Sequence, residues 1–257
     1  MASNDQIFAN SGEIKNAVPS IYKVSGAAAL DIMLVLAFGF VLMVAASAIW
    51  ALNEFVSHSG HMPNTQPGQM ALMLISIPTL YLAILALWAW RGRRNVLTRS
   101  ALSTSRLIAY GIGGGFVLFV LTMLTTFALN AAGAALKPTN QALIETLSKQ
   151  WPITITIFAV IVAPIFEELF FRKQLFARFA SAGYLITGYA VSSVFFALMH
   201  EPFPTQGVAR WLLMLAIYSF MGVVLATVYR KTGRLWPVML AHASNNIFAM
   251  SVLFISS

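Results

Sequence analysis

The chain has no cysteine in 257 residues, which excludes disulfide bridges and thiolate metal sites. Charge is nearly as scarce: Asp, Glu, Lys and Arg make up 9% of the residues, against ~25% in a soluble domain, while apolar residues reach 59%. Only eight residues are acidic. Many apolar runs approach the ~20 residues that a helix needs to cross a bilayer, and the short alternating segments of a transmembrane barrel are missing. There is no internal repeat and no low-complexity segment. The expectation is an all-α, polytopic integral membrane helical bundle with about seven transmembrane helices. A net charge of +8 is read as basic loops that orient such a bundle, not as a nucleic-acid surface.

Seven spans are expected near 25–52, 69–90, 107–136, 151–180, 184–200, 209–229 and 235–255. The first 24 residues are polar, and the apolar stretch after them exceeds the ~7–15 residues of a signal-peptide core, so an uncleaved first span is expected. Basic residues fall in alternate connections: Lys15 and Lys23; Arg91, Arg93, Arg94, Arg99 and Arg106; Arg172, Lys173 and Arg178; Arg230, Lys231 and Arg234. The opposite side holds only Lys137, Lys149 and Arg210. This bias places the N-terminus in the cytoplasm and the C-terminus across a cell inner or plasma membrane. The expected organisation is a polar tail over 1–24, three accessory spans over 25–136 and a catalytic core over 150–257.

Some polar features have quiet readings. Asp31 lies near a span end and is expected at the interface. Gly111, Gly113, Gly114 and Gly115 lack the strand and Lys-Ser/Thr context of a nucleotide loop, so they are expected to allow close helix packing. The loop 53–68, with His58 and His61, reads as solvated rather than metal-binding.

The chemistry concentrates in the second half. Glu167 and Glu168 sit together in the apolar run Pro164-Ile-Phe-Glu167-Glu168-Leu-Phe-Phe-Arg172. An ionisable group in the bilayer costs roughly 2.5–3.5 kcal/mol on insertion scales, so such residues face a cavity or partner and are functional by default. Glu168 and Arg172 are four apart on one helical face, suited to an ion pair, while Glu167 is turned ~100° away and left to exchange protons. A carboxylate kept from bulk water holds its proton more readily, as a general base near neutral pH requires.

His200 closes the fifth span, with Phe196 four residues before it. Glu167 and His200 are equidistant from Gly183, so a helical hairpin turning there places both ~25 Å from the turn, side by side. For His200 to stop short of the far face, the connection Glu201-Pro-Phe-Pro-Thr-Gln-Gly207 is expected to dip into the protein. In the last span His242 and Asn246 share a face, and Asn245 points elsewhere, towards helix–helix bonding. One carboxylate, two imidazoles and an amide are sufficient for water-mediated acyl hydrolysis; quiet packing groups are the alternative.

The ordered set Glu167-Glu168-x-x-x-Arg172, Phe196-x-x-x-His200 and His242-x-x-x-Asn246 resembles the three motifs of the CAAX protease and bacteriocin-processing (CPBP, or Abi) intramembrane endopeptidases, relatives of the Ras-converting CAAX prenyl protease. The resemblance covers roughly 150–250. It implies a cavity open to the cytoplasm, in which Glu167 and His200 activate water, His242 and Asn246 stabilise the oxyanion, and Glu168 and Arg172 support them. It also implies a peptide or membrane-protein substrate; prenylated CAAX proteins are one option within the family, and oligomeric state is left open. Glu167, His200 and His242 would be the ligands if Zn²⁺ were bound. A His-Glu-x-x-His pattern is lacking, however, and Asn is a poor zinc ligand, so a metal-free glutamate mechanism is favoured and no cofactor is expected. The rival reading is a catalytically silent scaffold or bacteriocin-immunity protein.

Overall fold

The computed structural model describes residues 18–57, 65–91, 97, 99–131, 139–205 and 207–256. The expected polar tail up to Asn16 and Ala17, the histidines His58 and His61, and Lys137 lie outside these residues. Every regular element among the described residues is helical: α1 (Ile21–Ser57), α2 (Thr65–Arg91), α3 (Thr104–Ala131), α4 (Thr139–Gln150), α5 (Pro152–Ser181), α6 (Leu185–His200), α7 (Val208–Thr232) and α8 (Leu235–Ser256). Five stretches, in α1, α3, α5, α7 and α8, are long and apolar enough to cross a membrane, and α6 is a shorter apolar helix. The chain is a polytopic helical membrane protein.

Seven helices coincide with the expected spans; α4 is additional. The sequence of α4, Thr-Asn-Gln-Ala-Leu-Ile-Glu-Thr-Leu-Ser-Lys-Gln, is too polar and too short to register as a span, and it buries only one side, at Leu147 and Ser148. Its separation from α5 follows from Pro152. A proline disfavours helical backbone in the residue before it, and Trp151 has φ −134° and ψ 63°; the missing N–H costs nothing in the first turn of the next helix.

The fold has two compact units, Tyr22–Arg94 and a second made of Met1–Ile21 with Asn95–Ser257. In the first, Asp31 is not interfacial. It is fully buried and paired with Arg91 Nε at 2.6 Å, because the last turn of α2 supplies a cation that hydropathy along α1 alone does not reveal.

In the second unit α3 packs along α8, α6 along α7, and α5 between α6 and α8. The glycine cluster allows the first contact. A side chain at Gly111 would meet Leu240 at 2.7 Å, and one at Gly115 would meet the Ala241 carbonyl and Ser244 Cβ at 2.5 Å each, whereas Gly113 faces open space. The α5–α6 hairpin turns at Gly183, as its central position between Glu167 and His200 suggests. Tyr184 donates to the Phe179 carbonyl (2.8 Å) and Gly183 to the Ala180 carbonyl (3.2 Å), the Schellman pattern, which needs the left-handed φ of +87° that glycine adopts without strain. Of the connection after α6 only Glu201 is buried; Pro202–Thr205 and Gly207 are exposed. Two prolines remove backbone donors there, and local turns from Thr205 to Phe203 and from Gly207 to Pro204 satisfy others, so the segment closes on itself without entering the protein.

The α3–α8 contact yields a paired prediction. Gly115→Val should lower stability by about 1–3 kcal/mol through overpacking, whereas Gly113→Ala, with nothing within 4 Å of the new Cβ, should be neutral or slightly stabilising. Thermal unfolding of the two purified variants in one detergent measures the difference.

Candidate active site

The polar residues singled out from the sequence come together between α5, α6 and α8, with α7 behind them. Glu167 and Glu168 occupy a short α-helical stretch, Ala163–Glu168, between two wider π-helical stretches, Phe158–Val162 and Leu169–Phe176. In the wide register Ala163 N–H reaches back five residues to the Phe158 carbonyl. The next donor in that register belongs to residue 164, which is proline and has none. The Ala159 carbonyl is thereby left to accept from Asn246 Nδ2 of α8, at 2.7 Å. Asn246, not Asn245, therefore makes the bond between helices. Asn245 donates to Asn246 Oδ1 at 3.1 Å and fixes the orientation of its amide.

Glu168 is the hub of the site. Its Oε2 lies 2.9 Å from Arg172 Nε, both side chains being fully buried, and its Oε1 lies 2.9 Å from His242 Nδ1. The Arg172 guanidinium also donates to the Gly222 carbonyl at 3.3 Å and lies 4.9 Å from the Phe196 ring centre. This is an ion pair inside the protein, where removing one partner strands the other charge.

Both imidazoles are held by the same logic. A carboxylate and a carbonyl can only accept, so His242 Nδ1 donates to Glu168, and His200 Nδ1 donates to the Phe196 carbonyl at 2.8 Å. In each ring Nε2 is then the atom that faces Glu167. Glu167 Oε2 stands 3.8 Å from His200 Nε2 and 3.9 Å from His242 Nε2. These distances exceed a direct hydrogen bond and fall in the range that one bridging water spans.

The donor chemistry resembles a zinc set, since both rings offer Nε2 while Nδ1 is engaged. The spacing is wider than zinc requires. Tetrahedral donors at 2.0–2.1 Å from a shared ion lie ~3.3–3.4 Å from one another, and no group of three or more His, Asp or Glu side chains among the described residues is placed to hold a metal. No step is derived through one.

α7, which shows no chemistry in its sequence, contributes two positions one turn apart. Tyr218 stacks on the His200 ring, with centroids 4.7 Å apart and planes at 27°, and Phe196 lies on the same imidazole at 4.3 Å. Gly222 takes Arg172 on its carbonyl and has no Cβ, which would otherwise lie 2.8 Å from Ser193 Cα of α6. The only hint along the chain is a Tyr and a small residue at helical spacing, a pattern ordinary packing also produces.

Two outcomes follow. Arg172→Met leaves Glu168 as an uncompensated buried charge and should cost about 3–5 kcal/mol of stability, read by thermal unfolding. Tyr218→Leu removes the ring beneath His200 and should lower turnover more than it changes KM, while Tyr218→Phe keeps the stack and restores most of the rate; peptide-cleavage kinetics measure both.

Comparison with known proteins agrees with this geometry. Residues 149–248 match the family described as type II CAAX prenyl endopeptidase Rce1-like. The chain is similar to "Putative membrane peptidase YdiL" of Bacillus subtilis (strain 168), 30% identical over 145 residues that cover 56% of this chain and 55% of that protein. It is also similar to "Membrane-embedded CAAX protease MroQ" of Staphylococcus aureus (strain USA300), 28% identical over 152 residues covering 56% and 57%. The chain spans little more than half the length of these relatives. No solved structure matches it. The segment 149–248, which holds Glu167, Glu168, Arg172, His200, His242 and Asn246, is an Rce1-like domain.

Proposed function

We propose that the protein is an intramembrane endopeptidase that hydrolyses peptide bonds near the cytoplasmic membrane surface by a metal-free, glutamate-dependent route. The observation that carries the reading is the convergence of Glu167 Oε2 with the Nε2 atoms of His200 and His242, brought by three separate helices to 3.8 and 3.9 Å. A water between Glu167 and His200 offers one proton to each acceptor. Glu167 removes a proton as the water oxygen attacks the peptide carbonyl.

The negative oxygen that forms needs donors. When His242 carries a second proton, its Nε2–H is one, and Glu168 at Nδ1 stabilises the imidazolium as the buried aspartate does in a serine-protease triad. With that proton the buried set Glu167, Glu168, Arg172 and His242 is also balanced in charge. Asn246 commits one N–H to Ala159 and has a second for the oxyanion. Collapse of the intermediate returns the proton held by Glu167 to the leaving amine. The substrate is a peptide or membrane protein, with prenylated CAAX proteins one option; Glu168, Arg172, Tyr218 and Gly222 orient the reacting groups.

A second reading is supported by the Asn246–Ala159 bond and the Glu168–Arg172 pair, which also serve a silent scaffold or immunity protein. Glu167 separates the two. Its isosteric change to Gln should abolish cleavage with the fold intact, whereas a scaffold keeps its function. The direct experiment compares new N-termini in membranes of cells expressing wild type and Glu167→Ala at matched levels. Peptide ends present only with wild type, and unaffected by a chelator, are the expected result. Identical profiles in a host that needs the protein favour the scaffold.

A further inference from the structure

One end of the Asn95–Ser257 unit carries charge of a single sign. α3 begins there, α5 turns into α6 there at Gly183, and α7 turns into α8 there at Gly233. Arg99, Arg106, Arg230 and Lys231 are exposed, and Lys173, Arg178 and Arg234 are partly so. Among the described residues of this unit the acids lie elsewhere. Glu167 and Glu168 are buried in the site, Glu145 precedes α5 at the opposite end, and Glu201 follows α6 there.

The cations are also held in place. Ser100 donates both its N–H (3.3 Å) and its hydroxyl (2.9 Å) to the Thr232 carbonyl, tying the segment before α3 to the α7–α8 turn. Thr232 is fully buried, and its hydroxyl in turn bonds the Val228 and Arg234 carbonyls. The tether keeps Arg99 close enough to Lys173 for the two charges to act on each other. Lys173 directly follows Arg172; the arginine is turned inward to Glu168, and the lysine emerges beneath the site. Two like charges pinned near one another, with no carboxylate of the unit at that end, are relieved by an anion between them.

We propose that Arg99 and Lys173 bind the phosphate of an anionic phospholipid headgroup, in a field supplied by the other cations of this end. The choice of a lipid rests on position. The cations cap the apolar helices α3, α5, α7 and α8, which is headgroup level in a bilayer. Exposed Ile108 and Ile112 of α3 and Trp236 of α8 run away from that level and give acyl chains an apolar surface that free phosphate cannot use.

The test uses full-length protein in a neutral detergent and measures binding of dioctanoyl phosphatidylglycerol against dioctanoyl phosphatidylcholine by native mass spectrometry. Saturable binding of the anionic lipid is expected, weakened roughly tenfold or more when Arg99→Gln and Lys173→Gln are combined. Lys149→Gln, at the opposite end, should leave it unchanged. Should the double variant misfold, the single Arg99→Gln, on an exposed side chain, should still weaken binding measurably. Equal binding of the two lipids, wild-type affinity in the Arg99 and Lys173 variants, or equally effective competition by inorganic phosphate would overturn the assignment. Peptide cleavage is not part of the readout, so the outcome is independent of whether the protein is a protease.

Discussion

The structure of the site depends on one carboxylate. Glu168 has no exposure to solvent, and its two oxygens are divided between a guanidinium on its own helix and an imidazole on α8. Each partner is in turn tied to another element: Arg172 to the α7 backbone through Gly222, and His242 towards Glu167. A charge this deep is tolerated only where its partners are in place, so the ionic network and the packing of α5, α7 and α8 require one another. The geometry of the reacting groups is inherited from that requirement.

Much of the site was legible because it obeys helical periodicity. Glu168 and Arg172 are four residues apart, and the distance of each of Glu167 and His200 from Gly183 places them level on a hairpin; both readings need only 1.5 Å per residue. The close α3–α8 contact was likewise visible in Gly111, Gly114 and Gly115, although Gly113, which looks identical in sequence, touches nothing.

What stayed hidden depends on the third dimension or on irregular backbone. No spacing rule connects His242 to Glu168, 74 positions away, or Tyr218 to His200 across a chain reversal. The partner of Asn246 was assigned to Asn245, because an ideal helix satisfies its own carbonyls and offers α8 nothing to bond. Only the combination of a wide turn with Pro164 exposes the Ala159 carbonyl. Asp31 looked interfacial because α1 was read alone, while its countercharge is carried by α2. The connection after α6 was expected to dip inward to reconcile the height of His200 with a full-length span, but the helix itself is short.

That shortness has a consequence for the surrounding lipid. A helix of 16 residues rises ~24 Å, less than the ~30 Å thickness of a hydrocarbon core, and Ile186 and Val194 on it are exposed. Acyl tails beside α6 must shorten or splay to match it, so the bilayer is pinched next to His200. Headgroups and water are drawn towards the depth of the imidazole along that flank, which lowers the cost of presenting an extended, polar peptide backbone to a reaction centre that lies beneath the membrane surface.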